Sequence, residues 1–342
     1  MSNLLEIRDL SVNYITDQGK VKALDKVNLT IGRGSVRAVI GESGCGKTTL
    51  ARSILGILPS TAEIEKGEVL LQGDDILKKS EKELTTMRGK TMTLIPQDPS
   101  DALNPVFTVA TQMWDIIVPK LISNKVCFNN RRKSRKKITR MFIDKLRHMQ
   151  LPSPQRLLNR YPHELSGGQK QRILIGMALI LNPLLVVADE PTTSLDVTVE
   201  AQILDLLRNL ITEYKTSTLY ITHNLAVASK ISDFITVMYC GQIVESAPSD
   251  SFFSNPAHPY SRKLLECLPK SGSKFKDIPG GVPSLIDVPG GCRFHPRCDR
   301  KLTQCSQKEP LQKEIAPNHW ICCYNPTLEK STRVNDQQKT NA

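Results

Sequence analysis

Three stretches of this chain carry side chains suited to handling phosphate. The first, Gly41-Glu42-Ser43-Gly44-Cys45-Gly46-Lys47-Thr48, follows the β-branched run VRAVI and opens the amphipathic stretch TTLARSILGIL. In that strand–loop–helix order, glycines let successive N–H groups turn inward onto phosphates, and the positive end of the helix adds its dipole. Lys47 is placed to reach the β- and γ-phosphates, and the Thr48 hydroxyl to ligate Mg²⁺. Cys45 reads as a small residue whose N–H matters, with a thiolate favoured by the helix N-terminus as the alternative.

The second stretch is LLVVADEPTTSLD, residues 184–196. An apolar strand ending in Asp189 and Glu190 sets two carboxylates at the C-terminal edge of a sheet, where open α/β sheets bind ligands. Asp189 would hold Mg²⁺ through water, and Glu190 would polarise the attacking water. The third, LSGGQKQR at 165–172, puts Ser166, Gly167, Gly168 and Gln169 at a helix start. Alone it could be any capped helix; beside the other two it is specific.

A different chemistry lies near the end of the chain. Cys292, Cys298 and Cys305 fall within GCRFHPRCDRKLTQC, residues 291–305, and Cys322 and Cys323 follow. The opening MSNLLEIRDL has neither a basic n-region nor a long apolar run, which predicts a reducing compartment, where clustered thiols bind metal more often than each other. Four-cysteine zinc sites prefer two close pairs, and this spacing lacks the first pair. An iron–sulfur cluster tolerates wider spacing. Zinc, iron–sulfur and free or structural thiols all stay open.

These residues need a scaffold, and 342 residues suffice for a large core domain plus an appended unit. The longest apolar run, ILIGMALIL at 173–181, is stopped by Asn182-Pro183 and falls well short of the ~20 residues of a membrane-spanning helix. The net charge of +12 is partly local to RRKSRKK at 131–137, which reads as a solvated helix face. With 5% aromatics and no basic–aromatic stripe for stacking bases, the sequence predicts no nucleic acid partner. The patterning divides the chain into 1–97, with β-rich runs and the phosphate loop; a helical insert at 98–165; α/β alternation at 166–247; a Pro-, Gly- and Cys-rich extension at 248–326; and a tail at 327–342 that reads as disordered.

With these motifs in order, residues 4–325 resemble the ATP-binding subunits of ATP-binding cassette (ABC) transporters. The resemblance implies an α/β P-loop NTPase fold of the ABC nucleotide-binding type: a parallel-sheet core, an antiparallel β subdomain and a helical subdomain, here with a C-terminal Cys-containing extension. It implies that Tyr14 in SVNYI stacks on adenine, and that Gln97 in IPQDPS links the γ-phosphate and Mg²⁺ to the helical insert. Asp196 in TSLD would line a dimer interface, and His223 in YITHN would contact the γ-phosphate. The implied ATP set also includes Gly41, Ser43, Gly44, Cys45, Gly46, Lys47, Thr48 and Thr49. Glu190 and His223 would be the catalytic pair, with Mg²⁺ on Thr48, Gln97 and Asp189. Thr49 departs mildly from the family, which often has another small residue there.

In the family two cassettes meet head to tail, so Ser166, Gly167, Gly168 and Gln169 of one would cap ATP on the loop of the other. The stretches NPAHPYSRKLLECLP, GGVPSLIDVPGGCRFHPRC and ALNPVFTV look like the dipeptide, oligopeptide and nickel importer group. That likeness implies a heterodimer with a paralogous ATPase, two transmembrane permease subunits, an extracytoplasmic binding protein, and a peripheral position on the cytoplasmic face of the membrane. Di- or oligopeptides would be the cargo, with nickel or oligosaccharide import, export, or a soluble non-transport role as alternatives. Relatives with a similar tail imply a four-iron four-sulfur cluster on Cys292, Cys298, Cys305 and Cys323, the last matching better than Cys322. Because the cluster lies far along the chain from the ATP ligands, it is expected to staple the extension, leaving ATP affinity mostly insensitive to Cys298.

Overall fold

A computed structural model describes residues 3–123, 131–193, 195–268 and 277–327. Of the tail at 327–342 expected to be disordered, Thr327 is described and donates its N–H to Ala257 O at 2.8 Å, and 328–342 lie outside the described residues. Two sheets organise them. In the eight-stranded sheet, Val36–Ile40 is buried at all five positions and pairs in parallel with Ser217–Ile221 on one side and Phe234–Tyr239 on the other. Leu185–Asp189 and Met92–Ile95 continue the parallel order beyond Ser217–Ile221. Strands covered on both faces read as near-continuous apolar runs, which is how VRAVI, LVVAD and STLYI are written.

A four-stranded antiparallel sheet of Gly19–Gly32, Asn3–Thr16, Ala62–Leu71 and Asp74–Asp75 packs its apolar face against the helix Lys47–Leu55. The helices Val109–Ser123, Arg131–His148 and Gly167–Ala178 bury Val109, Met113, Ile117, Phe142, Leu146 and Ile173 in one core. Their three- and four-residue spacing is the stripe an amphipathic helix needs.

The extension is more ordered than a Pro- and Gly-rich composition suggests. FITVMYCGQIVE turns at Cys240-Gly241, both at positive φ, into the hairpin Phe234–Tyr239 and Gln242–Pro248. The later hairpin Lys313–Ala316 and His319–Ile321 then adds to that edge of the main sheet. Glu245, fully buried, anchors this arrangement. Its carboxylate accepts the backbone N–H groups of Ala257 and His258, both at 2.8 Å, and lies 2.7 Å from His319 Nε2. Burial works against its charge, yet hydrogen bonds from His319, Ser261 and the two amides hold it below the usual carboxylate range.

His258 Nδ1 accepts from Tyr260 N at 3.0 Å and caps the helix Pro259–Glu266. Burial pushes the His258 imidazole down to about 4, with the neighbouring Glu245 charge opposing. A value below the ordinary 6.5 means that the neutral form's stabilisation is complete above pH 6.5 and is lost as pH falls towards 4. Glu245, also depressed, acts with the same sign at lower pH, its contribution present above about 4.5. Denaturant stability should therefore fall between pH 6.5 and 4, and more steeply in the native chain than in His258→Asn, which keeps an acceptor for Tyr260 N. Equal slopes in the two proteins would contradict this assignment.

Candidate nucleotide site

The loop after Val36–Ile40 owes its path to glycines that nothing else could replace. Gly41 and Gly46 have φ of 157° and 106°, and a Cβ there would lie 2.3 Å from Met238 O and 2.4 Å from Ala23 O respectively. Gly44, at φ 78°, has open space around it. The loop delivers the chain into the helix Lys47–Leu55 with Gly46 at its N-cap. Lys47, 6% exposed, folds back so that Nζ donates to Gly41 O at 2.8 Å and Glu42 O at 3.0 Å. Its ammonium is thus held against the loop's own carbonyls beside a helix N-terminus, which attracts anions.

Cys45 is buried, and burial pushes its thiol up although Lys47 opposes. That favours the small-residue reading over a reactive thiolate. Its carbonyl accepts from Gly241 N at 2.9 Å, tying the loop to the Cys240-Gly241 turn. Tyr14, on the antiparallel sheet, sits 3.2 Å from Thr49 Oγ1 through its hydroxyl, at the start of the loop's helix.

The acid pair stands at the end of Leu185–Asp189, one strand removed from Val36–Ile40 across Ser217–Ile221. Burial raises Asp189, opposed by a hydrogen bond from Thr48, with the nearby Glu190 charge raising it further. Glu190 occupies positive φ, 48°, where the chain leaves the sheet. Its Oε2 gathers three partners: Gln97 Nε2 at 3.3 Å, Thr193 Oγ1 at 3.1 Å and His223 Nδ1 at 3.0 Å. Gln97 and His223, separated in the sequence, therefore meet on one carboxylate oxygen. Thr193 had no predicted role, although it lies inside the quoted LLVVADEPTTSLD.

Ser166 caps the helix Gly167–Ala178, accepting Gln169 N at 3.3 Å while Gln169 Oε1 accepts Ser166 N at 3.1 Å. Gly168 leaves no room for a Cβ against Val199 Cγ1, 2.8 Å away. Among the described residues, no hydrogen bond joins Ser166–Gln169 to the loop at 41–49. Asp196 caps the helix Val197–Tyr214, accepting Val199 N at 2.9 Å.

Cys292, Cys298, Cys305 and Cys323 line one small cavity with His258 and Phe294, and Cys322 lines an adjoining one with Cys292, Asp25 and Glu309. All are free thiols. Burial pushes Cys292 to about 12 and Cys323 to about 11, with neighbouring cysteines adding to both. Among the described residues no group of three or more His, Cys, Asp or Glu side chains is arranged to hold a metal ion.

The extension does not stay away from the ATP ligands. Arg297, next to Cys298, donates from Nη1 to Glu42 Oε2 at 2.7 Å and from Nη2 to Glu42 Oε1 at 3.0 Å. One ion pair thus spans 255 positions and sets the segment that carries Cys298 against the phosphate loop. Glu42 stood inside the motif and Arg297 inside CRFHPRC, but nothing local signals such a pairing.

A glycine loop feeding a helix, a half-buried carboxylate on its threonine, and a glutamate ringed by Gln97, Thr193 and His223 define a P-loop ATPase of the cassette type. Residues 24–193 match the ABC transporter family, and residues 244–305 match the oligopeptide/dipeptide transporter C-terminal region. A probable peptide ABC transporter ATP-binding protein of Sinorhizobium fredii is 40% identical over 94% of both chains. The oligopeptide transport ATP-binding protein OppD of Salmonella typhimurium is 37% identical over 95% of both. A solved dimeric ATP-binding cassette in a post-hydrolysis state, bound to ADP and Pi, superposes with a TM-score of 0.60 at 26% identity, covering 72% of this chain and 98% of that one. The chain belongs to the ABC transporter ATP-binding family, and ATP hydrolysis is its activity. Among the described residues no helix is long and apolar enough to cross a membrane.

Proposed function

We propose that this subunit energises the import of di- or oligopeptides through a separate membrane permease. The convergence of Gln97, Thr193 and His223 on Glu190 Oε2 carries the chemical half of the proposal. The C-terminal region and the peptide-transport names of the relatives support the cargo. Lys47, with the amides of Ser43, Gly44, Cys45 and Gly46, binds the phosphates. Thr49 supports Tyr14, which stacks on the adenine.

Thr48, Gln97 and Asp189 would hold Mg²⁺, which would supply positive charge to neutralise the phosphates. Their oxygen donors fit a hard cation, and the half-buried Asp189 carboxylate, raised by desolvation, would gain from a nearby positive charge. Glu190 orients and polarises the attacking water, with His223 steadying it towards the γ-phosphate. Ser166, Gly167, Gly168 and Gln169 act on the partner's ATP, and Asp196 lines that interface besides capping its helix.

The partner in this proposal is a paralogous ATPase, assembled with two permease subunits and an extracytoplasmic binding protein at the cytoplasmic face of the membrane. The units at 1–97, 98–165, 166–247 and 248–326 are, in order, the first core half, the helical subdomain that meets the permease, the second core half and the extension. Cys292, Cys298, Cys305 and Cys323 are proposed to hold a four-iron four-sulfur cluster; four thiols lining one cavity, which would be soft thiolate donors once the cluster displaced their protons, support it.

Glu190→Gln in the assembled transporter should bind ATP yet hydrolyse it on the order of a hundredfold more slowly or worse, because the phosphate ligands survive and the water-orienting charge does not. Near-normal turnover would remove Glu190 from this role. Peptide-stimulated hydrolysis with the cognate binding protein tests the cargo; stimulation only by nickel or an oligosaccharide would redirect it.

For the cysteines, anaerobically purified protein should carry iron and acid-labile sulfide at about four each per chain. About one zinc per chain, or metal-free protein with an ordered extension, would reject the cluster.

A further inference from the structure

We infer that Tyr260 and Arg297 are positioning residues of the ATPase: through Glu42, the C-terminal extension fixes the conformation of the phosphate loop. The inference rests on the ATPase reading and assigns a task to the extension within it. Glu42 is the joint. Its carbonyl receives Lys47 Nζ at 3.0 Å and Cys45 N at 3.3 Å, and the preceding carbonyl, of Gly41, receives Lys47 Nζ at 2.8 Å. Its N–H points the other way, donating to Tyr260 Oη at 3.0 Å. Its carboxylate takes both arms of the Arg297 guanidinium. Backbone and side chain of one loop residue are therefore set from the extension, while its carbonyl sets the catalytic lysine.

Neither partner can follow a loop that moves. Tyr260 is fully buried, its ring packed 4.6 Å from Tyr239 and 5.2 Å from Phe294 between centroids. Arg297, with a side chain only 4% exposed, also donates from Nε to Pro279 O at 3.1 Å, from Nη2 to Ile278 O at 3.1 Å and from Nη1 to Tyr239 Oη at 3.3 Å. A guanidinium engaged at every nitrogen is a fixed fork that a lysine ammonium cannot reproduce. The pair is mostly withdrawn from water, so it resists the screening that makes exposed ion pairs weak, and removing one partner strands the other. These contacts explain why HPY at 258–260 and FHPRC at 294–298 accompany the cassette: one supplies the hydroxyl and the other the fork.

The test uses the full-length chain for nucleotide affinity, with a fluorescent ATP analogue, and the assembled transporter for KM and kcat. Tyr260→Phe deletes one oxygen and should weaken ATP binding about fivefold, the effect of one neutral hydrogen bond. Arg297→Lys should weaken it about tenfold or more, since the bidentate charged pair is lost. Adding Glu42→Gln to Arg297→Lys should cost little more than the worse single change, as expected of directly coupled residues. KM should carry the loss, with kcat within about twofold, because the groups ringing Glu190 are untouched.

A merely structural role would lower the unfolding temperature and leave the affinity of the folded protein unchanged. Wild-type affinity in folded Tyr260→Phe would overturn the inference, and that variant decides the matter if Arg297→Lys does not fold. Absence of turnover in the unsubstituted transporter would strike the ATPase reading instead, while the affinities still decide this one.

Discussion

The structure turns on a backbone too crowded for side chains. At Gly41 and Gly46 the phosphate loop passes so close to Met238 O and Ala23 O that a single Cβ would collide with each. Those carbonyls belong to the last parallel strand of the main sheet and to the antiparallel sheet, so the loop lies where the two sheets meet. Gly241 closes the same junction, donating to Cys45 O and accepting from Asp25 N, both at 2.9 Å. The helix dipole, the bent-back Lys47 and the Thr48 hydroxyl near Asp189 all follow from where this turn is pinned.

The rest of the site is arranged by distance from that turn. The acid pair leaves the next strand but one, Leu185–Asp189, and Glu190 takes a left-handed backbone conformation as the chain departs from the sheet. Polar groups from the 97 and 223 segments can then reach one oxygen. The Ser166 cap belongs to the helical side of the molecule, packed on residues from Leu195 to Val199, and its hydrogen bonds stay within its own helix start. A capped helix N-terminus held apart from its own chain's loop is suited to an ATP presented by another cassette.

Much of this was legible in the sequence because the signals are local. A β-branched run before GESGCGKTT fixes strand, loop and helix together, and apolar LLVVA before Asp189 and Glu190 reads as a covered strand with a polar end. The contacts that organise the extension are not local. Glu245 meets His319 across 74 positions and Arg297 meets Glu42 across 255, and neither pairing has a period or turn signal to announce it. Composition misled in the same place. Pro, Gly and Cys suggested a segment stapled mainly by its thiols, whereas Tyr239, Phe252, Tyr260 and Phe294 give it a core and its hairpin joins the main sheet. Distance along the chain does not mean distance in space, as Arg297 beside Cys298 shows by reaching Glu42.

The central claim is that this chain holds a loop and a water-orienting glutamate that complete an ATPase only when a second cassette supplies its helix N-terminus. Specific ATPase activity of the purified chain, followed against its own concentration and then against added paralogous cassette and permease, tests it most directly. The account predicts slow turnover alone and a rise on assembly, with Ser166→Arg in this chain impairing hydrolysis at the partner's site and sparing ATP affinity at its own. Full, concentration-independent turnover by a strictly monomeric chain would contradict it.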